Sequence, residues 1–284
     1  MANAKLTGQS DPSRSGGGRR GTGGIDSTKY LHPAASGSQE ARVATSTISL
    51  NDRSSFTDGM KRALDFDRSR AVALTIDLQR EYLDETVGQA VLRPAQAERV
   101  VRANAALLDR CRELDIPVIH AYVVRRQFET DHGFHTGGLA YMRAAHEHGL
   151  SQVPHRPART RADRVAGTPE AEMPAVLVGD RDIHITEKKS LDCFMATSLE
   201  FLLGRILAAR FIIVGGINTD TCVYATTFTA ANLGYAPIVV SDCVASMRGD
   251  DNHEMALELM SRSIAWVLTL DETLALLDGD ARAS

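Results

Sequence analysis

The stretch "GGINTDTCVYATTFTAANLGY", residues 215–235, decides the reading of the chain. It follows the apolar run "RFIIV", so two glycines end what reads as a buried strand. Seven residues after Gly215 stands Cys222, and a helical pattern begins there. Gly234 falls where a left-handed helix cap is wanted. A thiol at a strand-to-helix turn faces amides that have no partner inside the helix and that carry partial positive charge. That setting favours a thiolate and can hold an oxyanion. The turn therefore predicts a cysteine with a lowered pKa, supplied with donors for the negative charge it creates.

The same alternation runs outward on both sides. Short apolar segments at 70–77, 117–124, 182–188, 237–242 and 264–270 read as strands. Segments 94–114, 197–210 and 250–263 carry apolar residues at helical spacing. Strand and helix in alternation predict a parallel sheet covered on both faces. The expected fold is α/β: a three-layer α/β/α, Rossmann-like arrangement around a six-stranded, mostly parallel sheet. Residues 125–180 lack periodicity and read as a long irregular region. Ligands of such sheets bind beyond the carboxyl ends of the strands. Three reactive groups fall at strand ends: Asp77, Lys189 and Cys222. A carboxylate near a cation can serve as the base that a nucleophilic thiol needs.

Bulk properties narrow the field. The chain has 284 residues, 43% hydrophobic and 24% charged, as in ordinary globular proteins. A net charge of -4 with no basic stripe gives no reason to expect nucleic acid as a partner. No run of 18 apolar residues suggests a membrane partner. Cys111, Cys193, Cys222 and Cys243 form no C-x-x-C pair, which argues for a reducing, cytoplasmic setting. Cys111, Cys193 and Cys243 read as packing residues. Residues 1–30 hold 7 of the 22 glycines, and large apolar side chains are sparse up to about residue 55. Residues 1–60 are therefore expected to be a disordered or loosely attached extension, and 61–284 the folded domain. Arg19-Arg20 is not followed by the apolar region of a twin-arginine signal.

The folded part resembles the isochorismatase-like cysteine hydrolase superfamily, which includes N-carbamoylsarcosine, biuret and ureidoacrylate amidohydrolases and nicotinamidase. "TIDLQREYL" supplies Asp77 and Gln79, "EKKSLDCF" places Lys189 five residues before Phe194, and "GINTDTCV" is followed by Gly-Tyr and "SDCVAS". "GTPEAEMP" at 167–174 is similar to the segment that leads into the lysine strand. The resemblance runs from about 70 to 270. It implies Cys222 as nucleophile, Asp77 as general acid and base, and Lys189 as the cation that positions them. It further implies a non-proline cis peptide at Ile217–Asn218, with the N–H groups of Asn218 and Cys222 as oxyanion donors. The expected reaction is cleavage of a C–N bond in a small linear amide, ureido or carbamoyl compound through a thioester-like intermediate. Rivals are hydrolysis of a non-amide bond on the same scaffold and a non-catalytic binding or assembly role. The superfamily's vinyl-ether hydrolases lack the cysteine, so Cys222 counts against the first. The resemblance also implies a homodimer or homotetramer.

Lys188 is the rival to Lys189, and strand alternation would turn the two to opposite faces. The spacing to Phe194 selects Lys189. Gln79, His120, Phe194 and Tyr224 are expected to line the substrate pocket, with Arg125 and Asn218 as further candidates. His132, His135, His146, His148 and His155 lie in the irregular region. Asp131 directly before His132 departs from the Asp-x-His spacing of nicotinamidases, so no metal and no cofactor are expected. Glu81 and Asp84 read as a solvated turn.

Overall fold

In the computed structural model, which describes residues 50–133 and 139–279, six strands form one sheet. They are β1 (Ala71–Ile76), β2 (Val118–Ala121), β3 (Ile183–Ile185), β4 (Phe211–Ile217), β5 (Ala236–Ala245) and β6 (Trp266–Leu268). Their order across the sheet is β3-β2-β1-β4-β5-β6. Every neighbouring pair is parallel. The sheet is thus wholly parallel where a mostly parallel one was expected.

Alternation along the strands builds two cores. Ala71, Ala73, Phe211, Ile213, Ile238 and Val240 pack on one face, against Val100, Leu107, Leu108 and Cys111. Those four lie on a helix over Pro94–Glu113, whose proline opens the first turn. Val72, Leu74, Ile76, Ile212, Val214 and Val239 pack on the other, with Leu199, Leu203, Ala230 and Met260. These last four belong to the helical segments Leu199–Phe201, Leu202–Ile206, Tyr224–Asn232 and Asp250–Ser263. A strand buried on both faces needs apolar residues at successive positions, and all six residues of β1 are buried.

The order of strands reverses direction at β1. The chain runs from β1 to β2 and β3 on one side and returns to β4, β5 and β6 on the other. A crevice opens between the carboxyl ends of β1 and β4, because their onward connections leave to opposite sides. The two glycines of the opening stretch sit beside it. Gly216 has φ +140, and a Cβ there would lie 2.4 Å from the Ile76 carbonyl oxygen. A Cβ on Gly215 would lie 2.2 Å from Oδ1 of the buried Asn104. The pair lets β4 approach the end of β1, where Asp77 follows.

Several expectations change. The irregular region contains helices at Gln127–Asp131 and Ala140–Glu147. The expected helix over 197–210 is shorter and ends in a wide, π-type turn at Leu202–Ile206. Leu270–Asp278 is a further helix, opened by a reciprocal cap between Thr269 and Glu272. Its nine residues give too short a pattern to stand out from a strand that ends two residues earlier. Residues 1–49 lie outside the described residues, as does His135. Residues 54–60, assigned to the extension, begin a helix over Ser54–Arg62. It is fastened by Trp266 Nε1 donating to the Met60 carbonyl at 2.8 Å and by Lys61 to Glu272 at 2.7 Å.

Candidate active site

Asp77 follows β1 at φ +52, a left-handed conformation that aspartate tolerates better than most residues. Its backbone is pinned: its N–H donates to the Ala121 carbonyl at 3.0 Å, and its own carbonyl accepts from Gln79 N at 2.8 Å. Its carboxylate Oδ1 accepts from Val123 N at 3.2 Å. Across the crevice, Thr219–Val223 forms a π-type turn that runs into the helix Tyr224–Asn232 and places Cys222 in the first turn of that helical run. The peptide between Ile217 and Asn218 is cis. Asn218 Oδ1 accepts from Met247 N at 2.9 Å, which ties the turn to the end of β5.

The cation between the two is Lys188. Its Nζ donates to Asp77 Oδ2 at 2.8 Å and to Cys222 Sγ at 3.5 Å, with side-chain exposures of 1% for Lys188 and 0% for Asp77. Lys189, the residue expected there, donates instead to the Val124 carbonyl and to Glu129 at 3.0 Å. The reason lies in strand phase. β3 ends at Ile185, and Glu187 makes an isolated antiparallel bridge with Val123. Strict alternation from the buried Ile185 would bring Lys189 inward; the irregular turn shifts the phase by one residue and brings Lys188 inward.

Burial pushes the Cys222 thiol up to about 11; Lys188 opposes this, while Asp77, as charge and as hydrogen-bond acceptor, adds to it. This corrects the expected lowering. A helix start and one ammonium do not offset full burial beside a carboxylate. Burial lowers the Lys188 pKa and Asp77, followed by Cys222, more than restores it, so the ammonium is held above its ordinary range. The resting arrangement is an ion pair plus a neutral thiol directed at the carboxylate.

A cavity opens on Cys222 and is lined also by Asn218, Thr221, Tyr82, Leu139, Met142 and Met247. Five cationic side chains share its wall: Arg125, Arg159, Arg164, Lys189 and Arg248. Arg125 and Asn218, both candidates from the sequence, lie on this wall. The other expected pocket residues are not on its wall. Gln79 is buried, its amide donating to the carbonyls of Val123 and Ala171 at 2.9 and 2.8 Å. His120 is fully buried between Thr75 Oγ1 at 2.6 Å and Asp182 at 2.9 Å. Phe194 stacks on Tyr235, and Tyr224 on Phe228. These four point into packing because the cavity lies over the β1–β4 crevice while their side chains serve the sheet or the helices beside it.

Sequence reasoning missed Arg159, Arg164 and Arg248 at the cavity, and it misplaced Glu81. Glu81 is fully buried and accepts from Arg159 at 3.1 Å. The signal lay in "HRPARTRADR", 155–164, an arginine-rich run whose only acidic residue is Asp163. His132 and His148 donate Nδ1–H to the carbonyls of Phe128 and Ala144, four residues before them, and His155 donates Nε2–H to the Val91 carbonyl. Among the described residues no group of three His, Cys, Asp or Glu is placed to hold a metal. Cys111, Cys193 and Cys243 are buried, as packing residues should be. Among the described residues no helix is long and apolar enough to cross a membrane.

Comparison with known proteins agrees with this architecture. Several solved structures are similar in fold. A cysteine hydrolase from Pseudomonas syringae pv. phaseolicola aligns with TM-score 0.61 and 20% identity, over 76% of this chain and 96% of that one. An isochorismatase family protein from Desulfovibrio vulgaris gives 0.56 and 25%, over 75% and 99%. A nicotinamidase/pyrazinamidase from Bacillus subtilis gives 0.54 and 22%, over 70% and 99%. No curated protein sequence matches the chain. Residues 71–272 match the Isochorismatase domain, and the chain belongs to that family.

Proposed function

We propose that the protein is a cysteine hydrolase of a small amide, ureido or carbamoyl compound, with Cys222 as nucleophile. The observation that carries this reading is the single buried ammonium of Lys188 within hydrogen-bonding reach of both the Asp77 carboxylate and the Cys222 sulfur. Asp77 takes the thiol proton as sulfur attacks the carbonyl carbon. The negative charge passes from Asp77 to the sulfur, and Lys188, within reach of both, keeps the thiolate from being an uncompensated buried ion. The carbonyl oxygen becomes an oxyanion beside Asn218 and Cys222, whose backbone N–H groups are the proposed donors. Collapse expels ammonia or an amine, to which Asp77 returns the proton. Water then attacks the thioester-like carbon, gives its proton to Asp77, and the thiol is restored by that proton. The nicotinamidase among the structural relatives supports an amide as the bond cleaved.

The experiment is ammonia release by the wild type and by Cys222→Ala from a panel of ureido, carbamoyl and carboxamide compounds. The expected loss on removing sulfur is about 10⁴-fold or more. Full activity in Cys222→Ala would remove the nucleophile from this account.

We also propose self-association, as a homodimer or homotetramer. Phe201, Ile206 and Phe228 are exposed on helical segments that cover one face of the sheet, and Leu233 just after the last of them. Burial of these side chains against a second copy is the support for the proposal. Light scattering of the full chain should give twice the monomer mass or more; a monomer at micromolar concentration would remove the proposal.

A further inference from the structure

Four consecutive residues of the cysteine turn are each tied to the segment that follows β5. Asn218 Oδ1 accepts from Met247 N at 2.9 Å. Thr219 Oγ1 lies 2.8 Å from His253 Nδ1. Asp220 accepts from Ser246 Oγ at 2.7 Å and from Arg248 at 2.9 Å, and Arg248 also donates to Thr221 Oγ1 at 3.1 Å. Within the turn, Thr221 N and Val223 N both donate to the Asn218 carbonyl at 3.1 Å. The chain thus winds around one acceptor, with Cys222 between the two donors. Where residues 218 and 219 sit therefore fixes where the sulfur sits relative to Asp77 and Lys188.

The four ties are not equivalent. Asn218, Thr221, Met247 and Arg248 line the cavity, so a change at any of them also changes the surface a substrate meets. Thr219 and His253 are not on that wall. Thr219 is fully buried, and among the described residues the side-chain partner of its hydroxyl is His253. His253 is half-buried in the first turn of the helix Asp250–Ser263, where its N–H donates to the Gly249 carbonyl at 3.2 Å. Burial holds its pKa below the ordinary range against the nearby Glu254, so the ring is neutral at pH 7. In either tautomer Nδ1 can pair with a hydroxyl, which both donates and accepts. Leaving the Thr219 hydroxyl buried without that partner is costly, and the turn relieves the cost by shifting.

We propose that His253 is a positioning residue for Cys222: through its bond to Thr219 it holds the cysteine turn, and with it the sulfur, in reach of Asp77 and Lys188. A displacement of about 1 Å at a reacting atom is enough to cost about 10²-fold in rate. The proposal deepens the hydrolase reading above and rests on it for the role of the sulfur.

The test is the rate of Cys222 alkylation by iodoacetamide at pH 7, read by peptide mass spectrometry on the full chain; it needs no identified substrate. His253→Phe should slow alkylation about tenfold or more, and Thr219→Val by a similar factor. The double variant should be no more than about twofold slower than either single one, because both remove the same bond. His253→Asn presents a polar atom on Cγ where the imidazole presents Nδ1, and should recover the rate to within about threefold of wild type. A role in fold stability alone predicts the opposite sign: a loosened fold exposes the buried Cys193 and Cys243 along with Cys222 and speeds the alkylation of all three. An unchanged or faster rate in His253→Phe, losses that multiply in the double variant, or no recovery in His253→Asn would overturn the proposal. Should His253→Phe fail to fold, Thr219→Val alone and combined with His253→Asn carries the same comparison. Ammonia release from the panel above reads the separate question. On any compound released, His253→Phe should lower kcat and leave KM unchanged, and the reverse split would overturn the positioning role. Slowed alkylation in the variants with no release from any compound would sink the hydrolase reading and leave His253 as the group that positions the thiol.

Discussion

Two groups of charges flank the Cys222 cavity and are held differently. On the strand-end side, buried behind the cavity wall, Asp77 and Lys188 form a one-to-one ion pair beside the Cys222 thiol. The loop wall carries three arginines on two carboxylates. A balanced pair lets a proton move between thiol and carboxylate without creating a lone buried charge. The two groups stand on separate elements: the first at ends of the parallel sheet, the second on a loop whose Arg164 and Ala166 are bonded to the backbone of Arg125.

The sharpest way to break that division is the pair of neighbouring lysines. Lys188→Met should lower turnover about 10³-fold and destabilise the fold by about 3–5 kcal/mol, because it strands Asp77 as a buried carboxylate. Lys189→Met should cost under about 1 kcal/mol, as its Glu129 pair is partly exposed, and change turnover less than about tenfold. Kinetics and thermal melts of the two variants check both statements. If Lys189→Met proves the more damaging, the cation of the strand-end wall is misassigned.

A smaller effect separates the walls from the fold beneath them. Burial holds His120 down at about 4, with the hydrogen bond to Asp182 opposing. As pH falls from about 6.5, the unfolded chain gains a proton that the folded chain refuses until about pH 4. Stability is therefore lost between those limits, by on the order of 3 kcal/mol at most from this group. His120→Gln should flatten the pH dependence of Tm across that window and leave turnover within a few-fold. A large change in KM with an unaltered melting profile would return His120 to the substrate pocket.

Legibility in the sequence follows the same division. Asp77 and Cys222 were readable because a strand end is marked by its apolar run and the glycine pair that closes it. The choice between Lys188 and Lys189 was not, because periodicity stops being informative once a strand ends, and β3 ends three residues earlier. Glu81 looked like part of a solvated turn; its sequence neighbour Arg80 pairs with Asp84 and Glu172, and the partner of Glu81 is Arg159, 78 residues away.

By itself the sequence determined the alternating order of strands and helices, the parallel sheet that this order compels, and the strand ends at which reactive groups gather. These depend on local periodicity and on chain-handedness rules that act within one strand–helix–strand unit. Only the tertiary structure decided which lysine turns inward, which arginines face the thiol, and that the thiol is held neutral. Those outcomes depend on burial and on charges brought together from residues 77 to 222, and electrostatic energies in a low-dielectric interior are set by distance in space, not by distance along the chain.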